Sequence, residues 1–210
     1  MRRLCFGGSF NPIHFGHLRC ARAAADRLGY DRVVLIPSGR PPHKRTPEDT
    51  ASLADASDRL AMCRLAAGAE PDGLFEVDDI EIRRGELSYT VDTANALKQR
   101  GWGDPKAGDR IPWLIGADQL NDLPHWHRPL DLIREVHFVV MARPGFTFQW
   151  PLLPEPFQKL QSQVVEVPQI DISATTIRQR GARGQPIDGL TPAPVIQYIH
   201  AHHLYQSHQP

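Results

Sequence analysis

Two histidines three residues apart, His14 and His17, follow a glycine pair in the stretch Phe6-Gly7-Gly8-Ser9-Phe10-Asn11-Pro12-Ile13-His14-Phe15-Gly16-His17-Leu18. Glycines let the main chain turn sharply and approach a ligand closely, which a Cβ would obstruct. A helix that begins just after such a turn offers unpaired N–H groups and a partial positive charge, a ready place for phosphate. On that helix the two imidazoles lie on one face. The chemistry indicated is phosphate binding. A tight turn whose histidines merely cap a helix is the alternative. The strand before and the helix after, in the required order, favour the ligand site.

Further polar residues stand at comparable places. Ser38-Gly39-Arg40-Pro41-Pro42-His43-Lys44-Arg45-Thr46-Pro47 leaves the end of an apolar run. Its three prolines forbid regular structure, and Arg40, His43, Lys44 and Arg45 make it cationic. It reads either as a solvated loop or as a flap against phosphate, and its position after a strand favours the flap. Gly116 and Asp118 follow another apolar run, where a carboxylate can hold a ribose hydroxyl or simply cap a helix. Thr90 suits a helix cap. Trp126 is either a stacking platform for a flat ring or a lid on the core. Ser173, Thr175 and Arg178 open a late helix and form a second anion site, although the hydroxyls also suit capping.

Positioning these groups requires strands that end where they begin. Leu4 to Phe6 reads as the first strand and Gly16 to Leu28 as a helix rich in Ala and Arg, with Gly29 as its stop. Arg32 to Pro37, Pro112 to Ile115, Val136 to Met141 and Val164 to Val167 are apolar runs of the kind covered on both faces. Phe75 to Val77 and Ile80 to Ile82 read as short strand pieces. Helices are expected over Asp58 to Ala67, with Ser57 as cap and Leu60, Ala61, Leu65 and Ala66 buried, and over Thr90 to about Arg100. The last helix opens at Thr191, with Pro192 in its first turn and Val195, Ile196 and Ile199 inward. Strand, helix, strand near the start is a βαβ unit with parallel strands. The fold class is α/β: a Rossmann-like parallel sheet with helices on both faces. Residues 1–210 read as one domain with a small helical part from about 171.

The totals bound the partners. Lys+Arg and Asp+Glu each number 24, for a formal charge of +0, so nothing points to nucleic acid or a membrane surface. The distribution is uneven. Met1 to Arg45 holds nine basic and two acidic residues, and Thr46 to Asp92 holds four and twelve. The basic surplus coincides with the glycine turn, which makes it a local anion site. Cys5, Cys20 and Cys63 have no paired or metal-like spacing, which fits free thiols in a reducing, cytoplasmic setting. Histidines 200, 202, 203 and 208 stand too near a chain end for a metal site to be expected.

Five segments in order, Gly7 to His17, Pro41-Pro42-His43-Lys44, Ser88-Tyr89-Thr90, Ile115-Gly116-Ala117-Asp118 and Ile172-Ser173-Ala174-Thr175-Thr176-Ile177-Arg178, resemble the bacterial nicotinate-nucleotide adenylyltransferases of the HxGH nucleotidyltransferase superfamily. The likeness runs end to end and includes Pro194 to Ile199 with Leu204-Tyr205. It departs at Asn11, where the family often has Asp, and at His127, where some relatives have Tyr. The resemblance implies that ATP and nicotinate mononucleotide are joined to nicotinate adenine dinucleotide and pyrophosphate, by attack of the mononucleotide phosphate on the ATP α-phosphorus. It implies catalytic roles for His14, His17, Lys44 and Arg178. It implies ATP contacts from Gly7, Gly8, Ser9, Phe10, Gly116, Asp118, Arg143, Ile172 and Ser173, and mononucleotide contacts from Ser38, His43, Thr90 and Trp126. Mg²⁺ is expected on the ATP phosphates and not in a protein cage. Assembly as a homo-oligomer is not readable from the residues. Pantetheine-phosphate adenylyltransferase is the nearest rival, sharing the first and last motifs but typically shorter. A nucleotide sensor without turnover is the other.

Overall fold

The computed structural model describes residues 1–42 and 52–206. Six strands, all parallel, form one sheet: β1 (Arg3–Gly8), β2 (Arg32–Pro37), β3 (Phe75–Val77), β4 (Ile111–Gly116), β5 (Val136–Ala142) and β6 (Val164–Glu166). Their order across the sheet is β3-β2-β1-β4-β5-β6. The winding reverses between β1 and β4. In open sheets of this kind the crevice beyond such a reversal is where ligands bind.

Alternation along each strand divides the apolar residues between two layers. Leu4 and Phe6 of β1, with Val33 and Leu35 of β2, join the buried stripes of α1 (Phe15–Leu28) and α2 (Ala56–Gly68). Ile177 of α8 (Ala174–Ala182) and Val195 and Ile199 of α9 (Ala193–Ala201) bury into the same layer. Cys5, Val34, Trp113 and Phe138 point the other way. They meet α3 (Ile80–Arg84), α4 (Thr90–Gln99), α5 (Ala117–Leu120), α6 (Pro129–Glu135) and α7 (Glu155–Gln158). Helices thus cover both faces, which is why the strands read as unbroken apolar runs.

Local chemistry sets most ends. α1 stops at Gly29, whose φ of 67° is left-handed and whose N–H donates to Ala25 O. Several boundaries differ from expectation. Ile80 to Ile82 is helical: Asp78 Oδ1 accepts the Ile80 N–H at 2.9 Å and Gly85 closes the turn, so the strand-like alternation Ile-Glu-Ile is coincidental. α2 is preceded by Asp55, not capped by Ser57, and its buried stripe is Arg59, Met62, Cys63 and Ala66. Tyr89, not Thr90, occupies the cap of α4, and Pro192 occupies that of α9.

Candidate active site

The strand ends that flank the reversal carry the site. Gly8 pairs with Pro37 in the β1–β2 register, and the Ser38 N–H continues that ladder to Gly8 O at 2.9 Å. Gly7 has no room for a side chain, because a Cβ there would stand 2.5 Å from Cζ2 of Trp113 on β4. The turn that follows holds Phe10 at φ 46°, an unfavourable left-handed conformation for a side chain of that size. Backbone outliers of this kind cluster at ligand sites.

At the start of α1 the two imidazoles stack, with centroids 3.7 Å apart and 28° between planes. Gly16 makes that possible: a Cβ on it would lie 2.9 Å from Cε1 and Nδ1 of His14 and 3.2 Å from the Ile172 carbonyl. His17 Nδ1 accepts the His14 N–H at 3.3 Å, so the neutral ring of His17 carries its proton on Nε2. His14 is buried, and among the described residues its Nδ1 has no hydrogen-bond partner. Burial holds the His14 imidazolium down to about 4, and burial followed by the neighbouring His14 charge holds His17 well below the ordinary histidine range. The pair is therefore neutral near pH 7.

The segment between the turn and α1 is latched from both chain directions. Asn11 Nδ2 donates to Ser52 O at 2.7 Å, and its Oδ1 accepts from Ala54 N–H at 3.0 Å and from Tyr205 O–H at 2.7 Å. Arg178 Nη1 donates to Asn11 O at 2.9 Å, and Thr191 Oγ1 donates to Ile13 O at 2.7 Å. The expected anion-binding Arg178 thus reaches the motif itself, and Ser173 caps α8 by accepting the Thr176 N–H at 3.1 Å.

A cleft of about 750 Å³ opens beside the turn, and His14 and His17 are not among the described residues that line it. It brings together Gly7, Gly8, Ser9, Ser38, Thr90 and Trp126. Trp126 also packs against the second core layer, so it is both a wall of the cleft and a cover for the core. Among the described residues the buried Ser38 hydroxyl has no partner. The reading of the sequence missed other lining residues, Tyr89, His125, Gln119 and Glu81 among them. Tyr89 stacks on His127, centroids 4.1 Å apart, a pairing of residues from two segments that no local pattern signals. Glu81 is buried, and burial raises its carboxyl above the usual range although Thr93 and Ser88 donate to it.

The ATP set is more dispersed. Gly116 ends β4, its N–H donating to Gln119 Oε1 at 3.1 Å, and Asp118 and Arg143 are exposed beyond β4 and β5. The ring of Phe10 is in the core, 5.4 Å from Phe6 and 5.2 Å from His17, so its side chain buttresses the histidine and is not open to a nucleotide. His43 and Lys44 lie outside the described residues. Among the described residues no group of three or more His, Cys, Asp or Glu is arranged to hold a metal ion, and no helix is long and apolar enough to cross a membrane.

Residues 5–180 match the family described as cytidylyltransferase-like. A probable nicotinate-nucleotide adenylyltransferase of Pectobacterium atrosepticum is 39% identical over 217 residues, covering 96% of this chain and 97% of the relative. One of Roseiflexus sp. is 40% identical over 202 residues, covering 95% and 96%. In three dimensions the chain is similar to the Plasmodium falciparum nicotinic acid mononucleotide adenylyltransferase complexed with NaAD, with a TM-score of 0.73 over 98% of both chains at 18% identity. At that identity the likeness speaks for the fold alone.

Proposed function

Since the chain belongs to the nicotinate-nucleotide adenylyltransferases within the cytidylyltransferase-like family, we propose that its site joins ATP to nicotinate mononucleotide in NAD biosynthesis. A phosphate oxygen of the mononucleotide forms a bond to the α-phosphorus of ATP. The bond from that phosphorus to the β-phosphate bridging oxygen breaks, and pyrophosphate leaves with the electron pair. No protein nucleophile takes part, and the enzyme's share is alignment and charge neutralisation.

One observation carries this reading: the glycine turn lies at the winding reversal, its Gly7, Gly8 and Ser9 line one cleft with Ser38, Thr90 and Trp126, and the stacked His14/His17 pair follows it in the chain. His14 and His17 donate to the ATP phosphates, and Gly116, Asp118, Arg143, Ile172 and Ser173 serve the nucleoside end. The mononucleotide occupies the cleft, its pyridine ring by Trp126 and Thr90. His43, Lys44 and Arg178 complete the cationic surround. Mg²⁺ enters on the ATP phosphates, and a cytoplasmic setting fits the three free thiols.

Pyrophosphate release is the test, with ATP and, in parallel, nicotinate mononucleotide, nicotinamide mononucleotide or phosphopantetheine as acceptor. Turnover with the first is expected to exceed the others. Preferred turnover with phosphopantetheine, or none with any acceptor, would sink the assignment.

A further inference from the structure

Arg59 is the bulkiest side chain among those fully buried, at 1% exposure. A guanidinium so placed normally meets a carboxylate, because an unpaired buried charge is costly. Among the described residues no ion pair includes Arg59. Its fork is spent on three main-chain carbonyls instead: Nε donates to Ala54 O at 2.9 Å, Nη1 to Ser9 O at 2.9 Å and Nη2 to Gly39 O at 3.1 Å. Burial lowers its pKa from the usual arginine value, but a guanidinium at neutral pH stays charged.

The three carbonyls come from three separate segments. Ser9 is in the turn after β1, Gly39 follows β2, and Ala54 leads into α2. A planar trans peptide points its N–H opposite to its C=O. Drawing the Ser9 carbonyl into the interior therefore turns the Phe10 N–H outward from the turn. Holding Gly39 fixes its neighbour Ser38, whose buried hydroxyl has no partner among the described residues and which lines the cleft with Ser9. Packing alone would be served by an apolar residue at no desolvation cost.

We propose that Arg59 is a positioning residue for the transfer step, setting the phosphate-binding turn and the Ser38 segment at a fixed separation so that the attacking phosphate and the α-phosphorus are in line. The inference rests on the assignment of the turn and of Ser38 to the two substrates. Misplacement by about an ångström of groups that bind but do not react can cost on the order of a hundredfold in rate. It leaves affinity for each substrate alone much less affected.

Arg59→Lys keeps the charge and the aliphatic stem but cannot reach three carbonyls, and Arg59→Ala removes both. Steady-state kcat and both KM values are measured for each, with folding checked by circular dichroism and thermal melting, and with His17→Ala and Ser38→Ala alongside. The expected result is a folded Arg59→Lys with kcat reduced roughly ten- to a hundredfold, and both KM values within about threefold of the parent. A folded Arg59→Lys with kcat within twofold of the parent overturns the inference while the two control variants are impaired. Unimpaired controls overturn the site assignment and the inference with it. Failure of both Arg59 variants to fold also overturns it, since the residue would then serve the stability of the whole molecule.

Discussion

Tyr205 donates through its hydroxyl to Asn11 Oδ1 at 2.7 Å, across 194 residues of chain. The contact ties the segment after α9 to the loop that precedes the two imidazoles. Burial raises the Tyr205 phenol well above its ordinary range, so it remains a donor throughout the working pH range. Tyr205→Phe is expected to cost about 1 kcal/mol, because Asn11 Oδ1 keeps the Ala54 N–H as a partner. For a chain of this length that is a fall of about 2–4 °C in Tm, read by thermal melting.

Gly16→Ala separates helix formation from chemistry. Alanine is favoured over glycine inside a helix by about 1 kcal/mol. Its Cβ, however, would stand 2.9 Å from the His14 ring, and the Ile172 carbonyl lies beyond. The ring must move. Helix content by circular dichroism is expected to hold while kcat falls by about two orders of magnitude. Unchanged turnover would show that the orientation of His14 is immaterial.

His17→Ala removes a preorganised donor and is expected to lower kcat by roughly 10²–10³. Trp126→Ala acts in the cleft, where it should raise KM for the mononucleotide and leave KM for ATP near its parent value. If ATP were the substrate affected, the two pockets would have to be exchanged. Steady-state kinetics with each substrate varied in turn decides both cases.

The buried imidazole also gives stability a pH dependence of known sign. His14 titrates at about 4 in the folded protein, whereas an exposed histidine titrates near 6.5. Between those values the unfolded chain binds the proton and the folded one does not. Stability contributed by the neutral ring is therefore present above about 6.5 and lost as pH falls toward 4. Thermal melts at pH 7, 6 and 5 should show this decline, and His14→Gln should flatten it relative to the parent. An identical slope in the variant would mean that His14 is not the group responsible.

The sheet was readable from local pattern because helices cover both its faces, which leaves β2, β4 and β5 as unbroken apolar runs. The glycine turn was readable because Gly, Pro and His leave few conformational choices. Arg59 was not. A search for apolar periodicity treats arginine as surface and selected Leu60, Ala61, Leu65 and Ala66, a stripe turned partly round the helix from Arg59, Met62, Cys63 and Ala66. α3 escaped because five residues are too few to separate a period of two from one of 3.6. Tyr89 against His127 and Asn11 against Tyr205 join distant segments, and such contacts leave no local mark. Thr90 had two readings: the cap of α4 is Tyr89, and Thr90 is among the residues that line the cleft.

The order β3-β2-β1-β4-β5-β6 has a consequence for synthesis as well as for catalysis. One edge of β1 is matched by β2 early in translation, while the other waits for Ile111–Gly116 to leave the ribosome. Until then the nascent chain displays a naked hydrogen-bonding rim beside an apolar surface, the combination that invites sticking to neighbours. β1, which leads into the glycine turn, thus gains its second neighbour only after β2 and β3 are made. A chaperone that grips extended apolar segments would find its target there.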